Sequence, residues 1–324
     1  MPAIAPSLAL PRQAQPAGQA RAACWHEIPD ALLAPQASIS PKYFYDRRRS
    51  ELFEAITRLP EASLTRTERA RMRRHGRAIA EAVGAGRVVI EPGAGSCDKA
   101  RDLCRRLAAT HFVGVDISAD YLQGAVARLR AALPGLDARA VGGDITAGLR
   151  LPPDIPGQRR LVFYPGSSIG NFDPPQAVAL LAQMRALAQG GGALLIGIDL
   201  PKPRAVLEAA YDDAAGVTAA FNRNVLAHVN GLIGSDFDPR QWRHRAFFNP
   251  VVSRIEMHLE ALGPQRVRWP GGGRDFAAGE RIHTENSYKH PLPAFTALLR
   301  QAGFASTQSW TDARGWYAVV HARA

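Results

Sequence analysis

Cysteine is scarce. Cys24, Cys97 and Cys104 are the three in 324 residues, too few and odd in number for a disulfide framework. None has metal-ligand spacing, so no metal centre is expected. Free thiols fit a reduced, cytoplasmic setting, with Cys97 a small packing residue. Long apolar runs are missing too. No stretch approaches the roughly 20 residues of a membrane span, so no membrane partner is expected. The first residues have no basic segment, and prolines interrupt their apolar stretch, so no secretory leader is expected. Acidic residues are in deficit, 29 against 40 basic ones, giving a net charge of +11. Most of the excess is arginine in a chain rich in Ala, Gly and Pro. Arg69, Arg71, Arg73, Arg74 and Arg77 share one helix with no aromatic residue between them to stack a base. They read as a solvated face, and a nucleic-acid partner is not expected.

What is present centres on Val88-Val89-Ile90-Glu91-Pro92-Gly93-Ala94-Gly95-Ser96. A β-branched apolar run reads as a buried strand. Gly93 and Gly95 form a turn that lets a ligand lie against bare backbone, and Asp98 opens a helix. The next apolar run ends in Asp116, about twenty residues on, where a carboxylate can meet a ribose diol. A dinucleotide fingerprint needs a third glycine where Asp98 stands. A carboxylate at that helix start opposes a pyrophosphate. It suits the cationic sulfonium and ammonium of S-adenosylmethionine.

Strand and helix patterns then alternate. Strands are expected at 87–91, 111–116, 138–142, 160–164 and 192–198, and helices at about 98–109, 119–132, 174–189 and 203–213. This predicts an α/β fold with a doubly wound, Rossmann-like sheet. The tips at Glu91–Ser96, Asp116, Asp144-Ile145, Tyr164–Phe172 and Asp199 fall on one edge, where such sheets bind ligands. Two last strands near 305–310 and 316–322 return to the sheet as a hairpin. Four parts are expected: a disordered Ala/Pro-rich arm over 1–37, with a short helix near Ile28–Leu33; a helical segment over 38–84 belonging to a substrate lobe; a cofactor-binding core over 85–200 and 286–324; and an inserted substrate-binding lobe over 201–285. Thr65-Arg66-Thr67-Glu68 has the form of a capping box opening one helix to about Val83. Asp236–Arg245 reads as a loop. Asn171, flanked by glycine, either presents its amide to a substrate or caps the next helix.

Several segments together resemble the S-adenosylmethionine-dependent histidine Nα-methyltransferases of ergothioneine biosynthesis. They are Pro41–Asp46, Thr65–Glu68, Gly93–Lys99, Pro165-Gly166-Ser167-Ser168-Ile169-Gly170-Asn171-Phe172, Ala219–Asn222 and Glu285-Asn286-Ser287. The resemblance covers about residues 40–323 and implies a class I methyltransferase sheet with an added substrate lobe. It implies that Tyr45, Gly93, Gly95, Lys99, Asp116, Asp144 and Ile145 hold S-adenosylmethionine. Gly166, Asn171 and Tyr211 would hold the amino acid's amine and carboxylate, with Asn171 and Tyr211 as the catalytic pair. Met257, Glu285 and Ser287 would face the imidazole. The implied reaction gives trimethylhistidine, by a monomer acting on a small-molecule amino acid. The family's tyrosine pair after Leu-Pro-Glu is replaced here by Ala62-Ser63. That leaves another amino acid or an aromatic amine open as the substrate. Two further readings stay open as well, a nucleic-acid methyltransferase and a non-catalytic cofactor-binding protein.

Overall fold

The computed structural model describes residues 17–324 apart from 45, 46 and 190. Four helices lead: α1 (Ala17–Leu33), α2 (Arg47–Ile56), α3 (Ser63–Arg74) and α4 (Gly76–Val83). The arm expectation is corrected within the described residues. Over Ala17–Leu33 the chain forms helix α1, which contains the expected short helix near Ile28–Leu33, and Ile28, Leu32 and, beyond the helix, Ala37 are buried. Apolar spacing at i and i+4 in its last turns outweighs the Ala- and Gln-rich composition. The single helix over 65–83 is corrected as well. It breaks at His75 (φ −99°, ψ 8°), and the next residue, Gly76, packs against the Arg106 guanidinium, which lies 2.8 Å from where a Cβ would stand.

The alternation then runs β1 (Val88–Pro92), α5 (Asp98–Arg106), β2 (His111–Asp116), α6 (Ala119–Ala132), β3 (Asp137–Gly142), β4 (Arg160–Tyr164), α7 (Pro174–Ala188) and β5 (Ala193–Asp199). Strands β1, β4 and β5 are buried along their whole length, as parallel strands covered on both faces must be. Two helices, α8 (Arg204–Tyr211) and α9 (Val217–Ile233), lead to strands β6 (Trp242–Asn249), β7 (Arg254–Ala261), β8 (Gln265–Trp269), β9 (Gly272–Phe276) and β10 (Arg281–Tyr288). Helix α10 (Leu292–Gln301) and strands β11 (Ser306–Thr311) and β12 (Tyr317–Arg323) close the chain.

The main sheet has the order β11-β12-β5-β4-β1-β2-β3, with β12 antiparallel to β5 and β11 antiparallel to β12. Its strand order reverses between β1 and β4, which puts the ligand crevice beyond their carboxyl ends. A second, antiparallel sheet of order β10-β7-β6 lies in the lobe. Its inner face, with Ile255, Met257, Leu259 and Ile282, shares a core with Leu32 of α1 and Val225 of α9. Strand β6 takes the last four residues, Trp242–Arg245, of the stretch read as a loop, and β10 carries the lobe to Tyr288, past the expected boundary at 285.

Candidate active site

The cofactor side starts at the turn after β1. Gly93 (φ 69°) and Gly95 (φ 50°) both adopt the left-handed region, and beyond the adjacent residues no atom lies within 4 Å of where either Cβ would be. A side chain would be strained at either position and would fill the space, so the turn is a bare cradle. The carboxylate of Asp116 is fixed at the tip of β2. Its Oδ2 accepts the Gly95 N–H at 3.1 Å and its Oδ1 the Ser118 N–H at 3.0 Å. The next strand tip lies alongside, since the Gly143 N–H donates to the Asp116 carbonyl at 3.0 Å. Asp144 follows, with its Oδ1 holding the Thr146 N–H at 2.8 Å, while Ile145 packs into the adjoining core. Tyr45 lies outside the described residues.

Glu91 is buried, and its Oε2 has no hydrogen-bond partner among the described residues. Burial pushes its carboxyl well above the usual range, against a smaller opposing effect of Lys99. A buried carboxyl with one unpartnered oxygen beside a bare glycine turn fits a cationic ligand, and so fits S-adenosylmethionine. Cys97 is buried there too, and burial raises its thiol far above the reactive range. It is a packing residue.

Between the cofactor turn and the next strand tip sits Glu68. Its carboxylate does not close a capping box. Residue Ala62 is the N-cap of α3 and makes no side-chain cap bond. Instead Glu68 is buried and accepts the Gly166 N–H at 2.8 Å and the Tyr317 hydroxyl, and pairs with Lys99 Nζ at 2.5 Å. It thereby ties the cofactor helix α5, the loop after β4 and the last strand to one point. At Gly166 (φ 84°) a side chain would be strained, and its Cβ would come 3.1 Å from Lys99 Nζ, closer than an ordinary contact. Ser167 follows, also left-handed (φ 61°), and its Oγ accepts the Asp199 N–H at 2.8 Å. Two successive left-handed residues fix the path of the 3-10 turn Ser168–Asn171.

That turn presents Asn171 without using it as a cap. Asp173 caps α7, forming a capping box with Gln176. The turn is pressed on β10. A Cβ on Gly170 would lie 2.8 Å from the Tyr288 carbonyl oxygen and 3.7 Å from Ser287 Oγ. Asn171, Ser287 and Glu285 therefore belong to two touching elements. Glu285 is a strand residue rather than a loop charge. A β-bulge between His283 and Glu285 absorbs Thr284, whose hydroxyl donates to the Met257 carbonyl at 2.9 Å. The bulge pairs Glu285 with Met257 and Ser287 with Ile255 on the inner face, where unbroken alternation would turn them outward.

Tyr211 ends α8 and reaches the same wall, its hydroxyl donating to Ser287 Oγ at 2.7 Å. Its carbonyl accepts from His244 Nε2 at 2.8 Å, and Asn222 Nδ2 donates to His244 Nδ1 at 2.9 Å. Asn222 thus fixes the neutral His tautomer that holds Tyr211, and burial lowers the pKa of His244 accordingly. Lys289, wholly buried, donates to Tyr211 Oη at 3.0 Å and Ser287 Oγ at 2.7 Å, and pairs with Asp199 Oδ2 at 2.9 Å. The structure thus gathers Gly93, Gly95, Lys99, Asp116 and Asp144 at one end of the sheet edge, and Gly166, Asn171, Tyr211, Met257, Glu285 and Ser287 around its neighbour. Glu68, Asn222, His244 and Lys289 were not read as site residues. The signal for Asn222 is polarity on a helix face shared with Phe221, Val225 and Leu226, whereas Lys289 lies in the polar stretch Glu285–His290 and carries none.

A seven-stranded sheet with an antiparallel closing hairpin, a bare glycine cradle after β1 and a fixed acid at the end of β2 define a Rossmann-like methyltransferase that uses S-adenosylmethionine. The chain belongs to the family of histidine-specific, S-adenosylmethionine-dependent methyltransferases, whose family model matches residues 25–324. It is 41% identical over 305 residues to the histidine N-alpha-methyltransferase of Mycolicibacterium smegmatis, spanning 92% of this chain and 94% of that protein. It is 40% identical over 296 residues to the protein of the same name from Mycobacterium tuberculosis, spanning 89% and 91%. Ergothioneine biosynthesis protein 1 of Neurospora crassa is 26% identical over 288 residues, 82% of this chain and 31% of that protein. Among the described residues no helix is long and apolar enough to cross a membrane, and no group of His, Cys, Asp or Glu is placed to hold a metal ion.

Proposed function

We propose that this protein transfers methyl groups from S-adenosylmethionine to the α-amino nitrogen of histidine, giving the trimethylated product used in ergothioneine biosynthesis. One observation carries the reading. The turn bearing Asn171 packs on the strand bearing Glu285 and Ser287, next to the loop where Gly166 meets Lys99. An amino acid whose amine faces the cofactor would reach the inner face of β10 with its side chain.

The bound donor supplies an electrophilic methyl on a sulfonium. The chain's residues supply position. Asn171 and Tyr211 would hold the amine and carboxylate, and Glu285 and Ser287 the two ring nitrogens, while Met257 floors the ring. A carboxylate and a hydroxyl match the donor and acceptor of a neutral imidazole. Gly93, Gly95, Lys99, Asp116, Asp144 and Ile145 would hold the cofactor, with Asp116 on the ribose diol and Asp144 with Ile145 at the adenine edge. Alignment of this kind is worth about 7–11 kcal/mol of barrier. The amine attacks only when neutral, and free in water it is mostly protonated at pH 7.

The test is a panel of amino acids, ranked by kcat/KM with the purified enzyme. Histidine should lead. Asn171→Ala should abolish turnover while S-adenosylhomocysteine still binds with near wild-type affinity. A higher kcat/KM for tryptophan or phenylalanine than for histidine would overturn the substrate. Normal turnover by Asn171→Ala would overturn the residue's role.

A further inference from the structure

We propose that Lys289 is a positioning residue that makes the Ser287 hydroxyl an obligate hydrogen-bond donor to the substrate ring, so that the pocket accepts imidazole only in its neutral form. The proposal rests on the histidine reading above and deepens it.

The number of protons in the cluster fixes the direction of each bond. The Lys289 ammonium has three protons and three acceptors: Asp199 Oδ2 at 2.9 Å, Tyr211 Oη at 3.0 Å and Ser287 Oγ at 2.7 Å. The two hydroxyl oxygens lie 2.7 Å apart. They own two protons between them, and one is spent on the bond that joins them. One proton is therefore left to leave the group. The phenol is the more acidic hydroxyl and the better donor, so it gives its proton to Ser287 Oγ. Ser287 Oγ then accepts twice, from Lys289 and from Tyr211. With both lone pairs filled, it can only donate.

The lysine is locked in this arrangement. Its backbone N–H donates to the Ser253 carbonyl at 2.8 Å, and the Ser253 hydroxyl donates back to the Lys289 carbonyl at 2.9 Å. The ammonium stands 4.9 Å from the centre of the Tyr211 ring, a cation–π distance. Burial works against the charge, but Asp199 and the Tyr211 oxygen outweigh it and hold the pKa above that of an ordinary lysine. A neutral amine would have a lone pair and could accept from Ser287, which would turn that hydroxyl round. The charge therefore sets the direction of the serine proton. An imidazolium has an N–H on both nitrogens and would meet this donor with another donor. Neutral imidazole offers an unprotonated nitrogen to Ser287 and its N–H to the Glu285 carboxylate.

Two measurements test this. In the intact free protein, lysine-selective nitrogen NMR should show a slowly exchanging ammonium for Lys289 whose resonance moves in Ser287→Ala. A neutral amine, or a resonance indifferent to that change, would overturn the proposal whatever the substrate is. In steady-state kinetics, Lys289→Met should raise the KM for histidine about three- to tenfold, the loss of one hydrogen bond, and by a larger factor than it lowers kcat. Asp199 keeps Lys202 on its other oxygen, so its charge stays paired in this variant. Lys289→Arg should restore part of the loss. In a Ser287→Ala background Lys289→Met should raise the KM by less than it does alone, because part of its effect passes through that hydroxyl. Additive losses, or an unchanged KM in Lys289→Met, would contradict the proposal and leave the histidine reading intact. A wild-type enzyme inert toward histidine, with the ammonium signal as expected, would remove the substrate reading and leave the hydroxyl network standing.

Discussion

At the scale of single residues, the chain keeps a cost that its ligand offsets. Glu91 is buried with an unpaired oxygen, and its carboxyl is raised well above the ordinary range by burial. A group whose folded pKa is raised favours the folded state at low pH. That benefit is lost as pH climbs through the folded value, so above its unfolded pKa this buried carboxyl costs the free protein stability. Glu91→Gln should therefore raise the melting temperature of the free protein at pH 7.5. The same variant should gain less stability than wild type when S-adenosylmethionine is added. Calorimetric melts with and without the cofactor measure both, and a lower melting temperature for the free variant would contradict the reading. Residues of this kind were legible because their meaning is local. Gly93, Gly95 and Asp116 sit at fixed offsets from one strand. Glu68 was not legible. Its partners Gly166 and Tyr317 lie 98 and 249 residues away, and next to threonines and arginines it reads as a helix cap.

At the scale of elements, the parallel alternation was readable almost to the residue, since buried strands and amphipathic helices have different periods. The lobe was harder. Strand β6 alternates buried Trp242 and His244 with exposed Arg243 and Arg245, a period-two signal hidden by charge. Strand β9 begins with two glycines and exists because β8 pairs with it. The bulge at Thr284 has no local signal, yet it decides that Glu285 and Ser287 point inward. The contact that joins the 3-10 turn to β10 yields a prediction of its own. Gly170→Ala puts a Cβ 2.8 Å from the Tyr288 carbonyl oxygen. The turn must shift away from the strand, at about 1–3 kcal/mol of stability. Since a misplacement of ~1 Å can cost about 10²-fold in rate, kcat/KM should fall at least about tenfold while the affinity for S-adenosylhomocysteine holds. A variant with wild-type kcat/KM would show that the turn and the strand need not touch.

At the scale of the whole molecule, the lobe rests on a buried network that acid should undo. Glu260 is held at about 2 by Arg243 first, with Arg281 and Arg245 adding to it. Burial alone would raise Glu256, but hydrogen bonds from Asn249, His258 and Arg254 bring it down to about 2. Burial lowers His258 and, in the main sheet, His321 to about 4. All four folded values lie below the unfolded ones. Each group therefore stabilises the fold above its unfolded pKa and loses that contribution as pH falls. The histidines act between about pH 6.5 and 4, and the glutamates between about 4.5 and 2. Glu91 runs the other way, so the profile is read in the Glu91→Gln variant, which lacks that opposing contribution. The melting temperature should fall steadily below about pH 6.5, and a flat profile down to about pH 3 would contradict this account.

The central claim is that the donor's methyl groups go to the free amine of histidine. Incubation of the purified enzyme with histidine and S-adenosylmethionine, followed by mass spectrometry and proton NMR of the product, reads it directly. The expected result is successive gain of one, two and three methyl groups, all on the α-nitrogen, with one S-adenosylhomocysteine formed for each. Methylation of a ring nitrogen, or no gain on histidine while the cofactor binds, would contradict it.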